Sequence, residues 1–295
     1  MSATQQFTVI VQTVAYEYAL SLGSTNVLVG GTSSVPVMLN TSLSLSNITT
    51  FVQVPAAQLT NLTLSSVSPE ILSTLLQPLG ANQYAISLSL NPALNPGSSR
   101  TLAQLGFTAA PQTNSTVAAL MMSQLSAVQA DGQIAAKPGA FGGRVFIIGR
   151  QPLLDAWLGT NSSRILTLYG NPGASYQIAY NTNLLLTNWQ TVWRVPMTNQ
   201  YRMFGADQKP PQIFYRAWEF LADPPIIDLN SLTSTNLTLL LYGRNGTNYI
   251  IQATTNLSLT NGWFSTANVT LTNSFQIIGT GSPTNKAMFF RAKRP

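Results

Sequence analysis

The sequence predicts an all-β, multidomain protein, with one larger β-sandwich followed by two small antiparallel ones. Three observations carry this. Short runs of β-branched and apolar residues recur along the chain, separated by Gly, Pro, Asn or Ser. A stretch beyond residue 150 occurs twice, which marks a duplicated domain. Only 7% of the 295 residues are charged while 45% are hydrophobic, a composition with ample core-forming material and the reverse of a disordered chain.

The charge density rises after about residue 150, and the first domain is expected to span 1–155. Its runs FTVIVQTV, TNVLVGG, SVPVMLN, FVQVPA, LTLSSV, YAISLSL, LAQLGFTAA and GRVFIIG read as strands, enough for a jelly-roll or immunoglobulin-like sandwich. The stretch SPEILSTLLQPLG (68–80) reads differently. Ser68 can cap, Pro69 takes the first helical position, and Pro78 with Gly80 stops the segment, so a short helix is expected there. The N-terminal run with Phe7, Val9 and Val11 in alternation has two readings. It is the first strand of this domain, or a donor strand that completes the sheet of a neighbouring subunit.

The repeat defines two further domains, 156–222 and 223–295. Tyr169-Gly170 matches Tyr242-Gly243, Gly173 matches Gly246, Tyr176 matches Tyr249, and Trp189 matches Trp263. Phe214-Tyr215-Arg216-Ala217 then matches Phe289-Phe290-Arg291-Ala292. Tyr176, Ile178 and Tyr180 alternate with polar or small residues, as do Tyr249, Ile251 and Ala253, which is the period of a half-buried strand. Trp189 and Trp263 are expected to fill the two cores. Tyr215/Phe290 and Ala217/Ala292 are expected to point inward, with Arg216 and Arg291 along the sheet surface or paired with a backbone carbonyl. Trp193 and Trp218 have no counterpart in the second copy, where Ala267 and Lys293 stand. They are the candidates for a surface or ligand contact. The linker LADPPIIDLN (221–230) separates the copies, stiffened by Pro224-Pro225.

The order VLVGGTSSVPVML, ITTFVQVPAAQLTNLTLSSVSPE, LAQLGFTAA and a late ADG resembles the cohesin-like family of β-sandwiches over about 125 residues. That resemblance implies a nine-stranded jelly-roll-like sandwich, in a family that binds dockerin modules or serves as scaffold. The two repeats look like the short immunoglobulin-like modules at the C-termini of secreted Planctomycetes and Verrucomicrobia proteins. The pattern is carried by Gly246, Tyr249, Gln252, Thr255, Leu257 and Trp263, and by Phe214, Tyr215 and Arg216. This second resemblance implies an exported or surface-associated context.

The chain has no Cys and no His, so thiolate nucleophiles, imidazole bases, disulfides and His/Cys zinc sites are excluded. Its eight carboxylates are dispersed, whereas a glycosidase needs two facing each other across a cleft. The Asp131-Gly132 pair reads as a turn, since calcium needs clustered oxygen ligands. No catalytic residue, metal or cofactor is expected. The net charge of +6 comes from scattered cations and not from a basic stripe interleaved with aromatics, so no nucleic acid is expected. No apolar run approaches the roughly 18 residues of a membrane span. MSATQQFTVIVQ lacks a basic n-region and a long apolar h-region, so a signal peptide is absent or already removed. The expected function is that of a non-catalytic extracellular or cell-surface structural or adhesion protein, a surface or filament subunit joined to itself by strand addition. The alternative is a module that binds polysaccharide, a cell-surface protein or a dockerin-type peptide.

Overall fold

The computed structural model describes residues 15–80, 82–94, 99–159, 163–206, 213–233, 236–259, 261–281 and 288–295. The donor-strand candidates Phe7, Val9 and Val11 lie outside the described residues. The chain divides into two compact units, 1–111 with 117–147, and 112–116 with 148–295.

The first unit contains β1 (Tyr18–Leu22), β2 (Ser24–Leu28), β3 (Thr32–Thr41), β4 (Leu45–Gln53), β5 (Leu59–Ser66), β6 (Ile71–Pro78), β7 (Gln83–Leu90), a 3-10 turn at Pro92–Leu94, β8 (Ser99–Ala109), β9 (Thr116–Gln129), β10 (Pro138–Phe141) and β11 (Gly143–Ile148). They form a five-stranded sheet in the order β10-β1-β3-β8-β5 and a six-stranded sheet in the order β2-β11-β9-β4-β7-β6. Strict alternation fills the space between them. Val35, Val37 and Leu39 point inward from β3, Ile86 and Leu88 from β7, and Val145 and Ile147 from β11, all buried. Asp131 sits in the expected turn, where its Oδ1 accepts from the Gln133 amide at 3.0 Å and Gly132 takes φ +85°.

Among the described residues the nine implied strands become eleven, and two segments correct the sequence reading. The expected helix at 68–80 is a turn followed by strand β6. Ile71, Leu72, Leu75 and Leu76 fit a helical face as well as a strand, and pairing decides between them. Thr74 and Leu76 lie opposite Leu88 and Ile86 of β7, inside the sandwich. Glu70, ahead of the strand, is buried and accepts two hydrogen bonds from Arg100, at 2.6 and 3.0 Å. That bidentate pair anchors the turn. Strand β9 also escaped the reading, because Ala, Leu, Met and Gln are helix formers. Its buried residues are Ala118 and Leu120, then Leu125 and Ala127, even numbers followed by odd. The parity changes at Gln124, which has φ +51°, beside a register shift against β4. This is a β-bulge, and it hides the alternation from any fixed period of two.

The second unit contains two modules of one topology. β12 (Leu153–Leu158), β13 (Arg164–Tyr169), β14 (Ser175–Asn181), β15 (Gln190–Pro196), β16 (Tyr201–Gly205) and β17 (Phe214–Glu219) form the sheets β12-β13-β16 and β15-β14-β17. β18 (Ile226–Leu232), β19 (Leu237–Tyr242), β20 (Asn248–Thr254), β21 (Phe264–Thr270), β22 (Phe275–Gly281) and β23 (Phe289–Lys293) repeat that order as β18-β19-β22 and β21-β20-β23. The first strand of the first module begins at Leu153, ahead of residue 156.

The Tyr-Gly…Tyr signature has a mechanical cause. The Tyr176 ring lies over Gly170, where a Cβ would enter its envelope, and Tyr249 lies in the same way over Gly243. Each phenol oxygen accepts the amide of the residue after that glycine, Asn171 and Arg244 respectively, at 3.0 Å. A fully buried tyrosine thus pins the turn that follows the preceding strand.

The modules meet through several contacts. Ser274 Oγ donates to Ser175 Oγ at 2.8 Å and lies 3.1 Å from the Gly173 carbonyl. Arg194 pairs with Asp228 at 3.4 Å and lies over the Phe220 ring. Phe220 in turn packs edge-on against Tyr242, whose hydroxyl donates to the Arg194 carbonyl at 3.5 Å. In the linker, Asp223 holds both Arg244 and Arg294, at 2.5 and 2.7 Å.

Candidate functional site

The sequence-predicted anchors of the modules are divided between the two faces of each second sheet. In the first module Tyr176, Ile178 and Tyr180 lie opposite Glu219, Ala217 and Tyr215. Tyr215 and Ala217 pack on the buried cluster, as expected. The other parity faces outward, with Gln177 opposite Trp218 and Ala179 opposite Arg216. There the Arg216 guanidinium lies 4.3 Å from the Trp189 ring and 5.0 Å from the Trp218 ring. Its flat, weakly hydrated cation suits two indole faces.

The second module builds the same contact with one aromatic. Arg291 lies 4.2 Å over Trp263, and its Nε donates to Gln252 Oε1 at 2.9 Å. Gln252 is 8% exposed and stands where the first module has Ala179, while Lys293 replaces Trp218. Ala292 packs on the core as expected, and Phe290 is half-buried opposite Ala253.

This geometry corrects the expectation for the tryptophans. Trp189 and Trp263 are half-buried lids over arginine on the outer face and belong to neither core. Trp193 packs against the first core instead, stacked on Phe204 at 5.1 Å and on Tyr215 at 6.5 Å. Trp218 stays half-buried beside Arg216. The spacing W…F-Y-R carried the signal of this pairing, but the repeat alone cannot say on which side of the sheet a tryptophan shared by both copies lies.

A second region in the first unit was not singled out by sequence motifs. Strands β6, β7, β4 and β9 are consecutive in the six-stranded sheet, and not one of their residues is charged. Their outward side chains form cross-strand rows: Leu75, Ser87, Thr49 and Ser126, then Gln77, Ala85, Phe51 and Ser123. An open depression of about 550 Å³ lies at one end, lined by Gln53, Asn82, Gln83, Met121, Met122 and Ser123. The signal was present in the sequence as the scarcity of charge, but only the pairing shows that the uncharged residues share one wall.

Four of the eight carboxylates are paired with cations. Glu17 pairs with Lys137, Glu70 with Arg100, Asp228 with Arg194, and Asp223 with two arginines. Among the described residues no three carboxylates gather into a group that could hold a metal ion, and no helix is long and apolar enough to cross a membrane.

No protein-family model matches the chain, and no curated protein matches it either. Among solved structures it is similar to the seventh ScaB type I cohesin of Pseudobacteroides cellulosolvens, with TM-score 0.38 and 17% identity over 46% of this chain and 94% of that one. A cohesin–dockerin complex from Clostridium thermocellum gives TM-score 0.38 and 10% identity over 47% and 98% of the two chains. A non-cellulosomal cohesin from Archaeoglobus fulgidus gives 0.34 and 18% over 44% and 91%.

Proposed function

We propose that this protein is a non-catalytic extracellular or cell-surface structural subunit that associates with copies of itself, the N-terminal run around Phe7, Val9 and Val11 serving as the joining strand. The observation that carries this reading is the uncharged wall of β6, β7, β4 and β9. Covering such a wall strips no ion of its water, so the desolvation cost that opposes most protein contacts is small. Half-exposed Phe51 and exposed Leu75 and Met121 add apolar area that a partner would remove from water. The pairing of Glu17, Glu70, Asp223 and Asp228 with cations supports a non-catalytic role, because none of those four is left as a free acid or base facing another.

Light scattering and electron microscopy of the full chain test this. We expect oligomers or filaments whose size is unchanged between low salt and about 1 M salt, where charge-driven contacts are screened within about 3 Å. A strictly monomeric species at high concentration, or assemblies that salt dissolves, would overturn it. A second reading, polysaccharide binding, is favoured by the Gln- and Asn-lined depression beside Met121. Retention on a glycan array by a monomeric chain would decide for that reading.

A further inference from the structure

We infer that the edge strand β6 is the acceptor onto which residues 5–14 of a second copy add as a new strand; this rests on the self-association reading above. Among the described residues the first unit has four sheet edges, β10, β5, β2 and β6. Three of them carry features that blunt an edge. β10 is four residues long and starts with proline, and β2 has five residues. β5 is broken between Thr60 and Thr63, with Asn61 at φ +52°. β6 differs: after a register shift near Ile71 it runs regularly from Ser73 to Pro78, and it carries no Lys, Arg, Asp or Glu.

Its side chains suit a strand rather than solvent. Leu72 and Leu75 are 65% and 56% exposed, and Leu79 beyond the strand is 48% exposed. On the inner side Leu76 and, from the neighbouring edge, Leu62 and Leu64 are only partly buried against the core. A strand added beside β6 would extend that layer with every second side chain. Residues 5–14, QQFTVIVQTV, supply the match, with Phe7, Val9 and Val11 on one parity and no charge before Glu17. The regular part of β6 and the run from Phe7 to Val11 are of equal order, about 17–20 Å of strand.

The partner has to be another copy. β1, which follows this segment, lies three strand steps from β5 in its own sheet, and β6 belongs to the opposite sheet. The route round that flank is about 14 Å laterally plus about 10 Å between sheets. The three residues left to bridge it, 15–17, span at most about 11 Å.

Three full-length proteins test this by sedimentation velocity: wild type, Val9→Pro and Leu75→Lys. Proline removes a ladder donor from the added strand, and lysine places a charge on the exposed side of the acceptor, leaving its inner side untouched. Assembly is expected to weaken about a hundredfold for Val9→Pro and about tenfold for Leu75→Lys, with unchanged unfolding temperature for each. Mixing the two variants is expected to give pairs and nothing longer, because one intact donor meets one intact acceptor. Wild-type assembly by Leu75→Lys beside a failed Val9→Pro would place the acceptor elsewhere and overturn this inference alone. A monomeric wild type would overturn the self-association reading with it.

Discussion

The two modules of the second unit solve one problem twice, with different partners. Both stack an arginine of the last strand on a tryptophan, Arg216 on Trp189 and Arg291 on Trp263. The first module adds Trp218 beside the guanidinium. The second uses the Gln252 carboxamide. The difference teaches that the shared sequence anchors specify the framework, a tyrosine over a glycine and an arginine over an indole. What completes the arginine's surroundings is free to change. A second asymmetry lies at Tyr242, 1% exposed beneath Phe220, whereas its counterpart Tyr169 is half-buried beside Tyr201.

The largest expected effect breaks the framework itself. Gly170→Ala and Gly243→Ala each force a Cβ into the pinned tyrosine, and each is expected to cost about 3 kcal/mol, measured by urea unfolding. Equal losses confirm a shared framework; a loss in one module only would show that the tyrosines are not equivalent.

The next effect belongs to one module. Burial first, and then the Asp228 carboxylate, push the Tyr242 hydroxyl up to about 12, against about 10 in an unfolded chain. The folded state therefore keeps a proton that the unfolded state has lost between those values. That contribution is whole below pH 10 and disappears as the pH rises towards 12. It amounts to about 3 kcal/mol. Stability measured from pH 9 to 11.5 should fall less steeply in Tyr242→Phe than in wild type, and parallel curves would count against the burial argument.

The smallest effect compares the arginines. Arg291→Ala leaves the buried Gln252 acceptor without its donor and is expected to cost about 2 kcal/mol. Arg216→Ala loses only stacking, about 1 kcal/mol. The order of the two, read by chemical unfolding with tryptophan fluorescence, sharpens the comparison, and the reverse order would refute it.

Much of this architecture was legible in the sequence, for reasons that differ by region. The duplication was readable because a tyrosine that must cover a glycine, and an arginine that must reach an indole, fix residue types at fixed spacing. Strands β3 and β7 were readable because their alternation is unbroken, and β8 and β11 because they are dense apolar runs bounded by polar or glycine residues. Strand β6 was misread as a helix because its apolar spacing serves both periods and only the pairing with β7 separates them. Strand β9 was missed because the bulge at Gln124 shifts its parity. The side of the sheet taken by Trp189 and Trp263 was not legible, since both tryptophans reach the arginine from outside the regular strands. The uncharged wall was hidden for another reason: its four strands are adjacent in space but scattered in sequence.

The join between the modules has a mechanical consequence. Ser274 bonded to Ser175, Tyr242 bonded to the Arg194 carbonyl, and Arg194 paired with Asp228 all cross the same boundary. Bending the pair by the width of one side chain requires these contacts to break together. Under tension the join is therefore expected to yield in a single step at a threshold force, as a latch does and a spring does not.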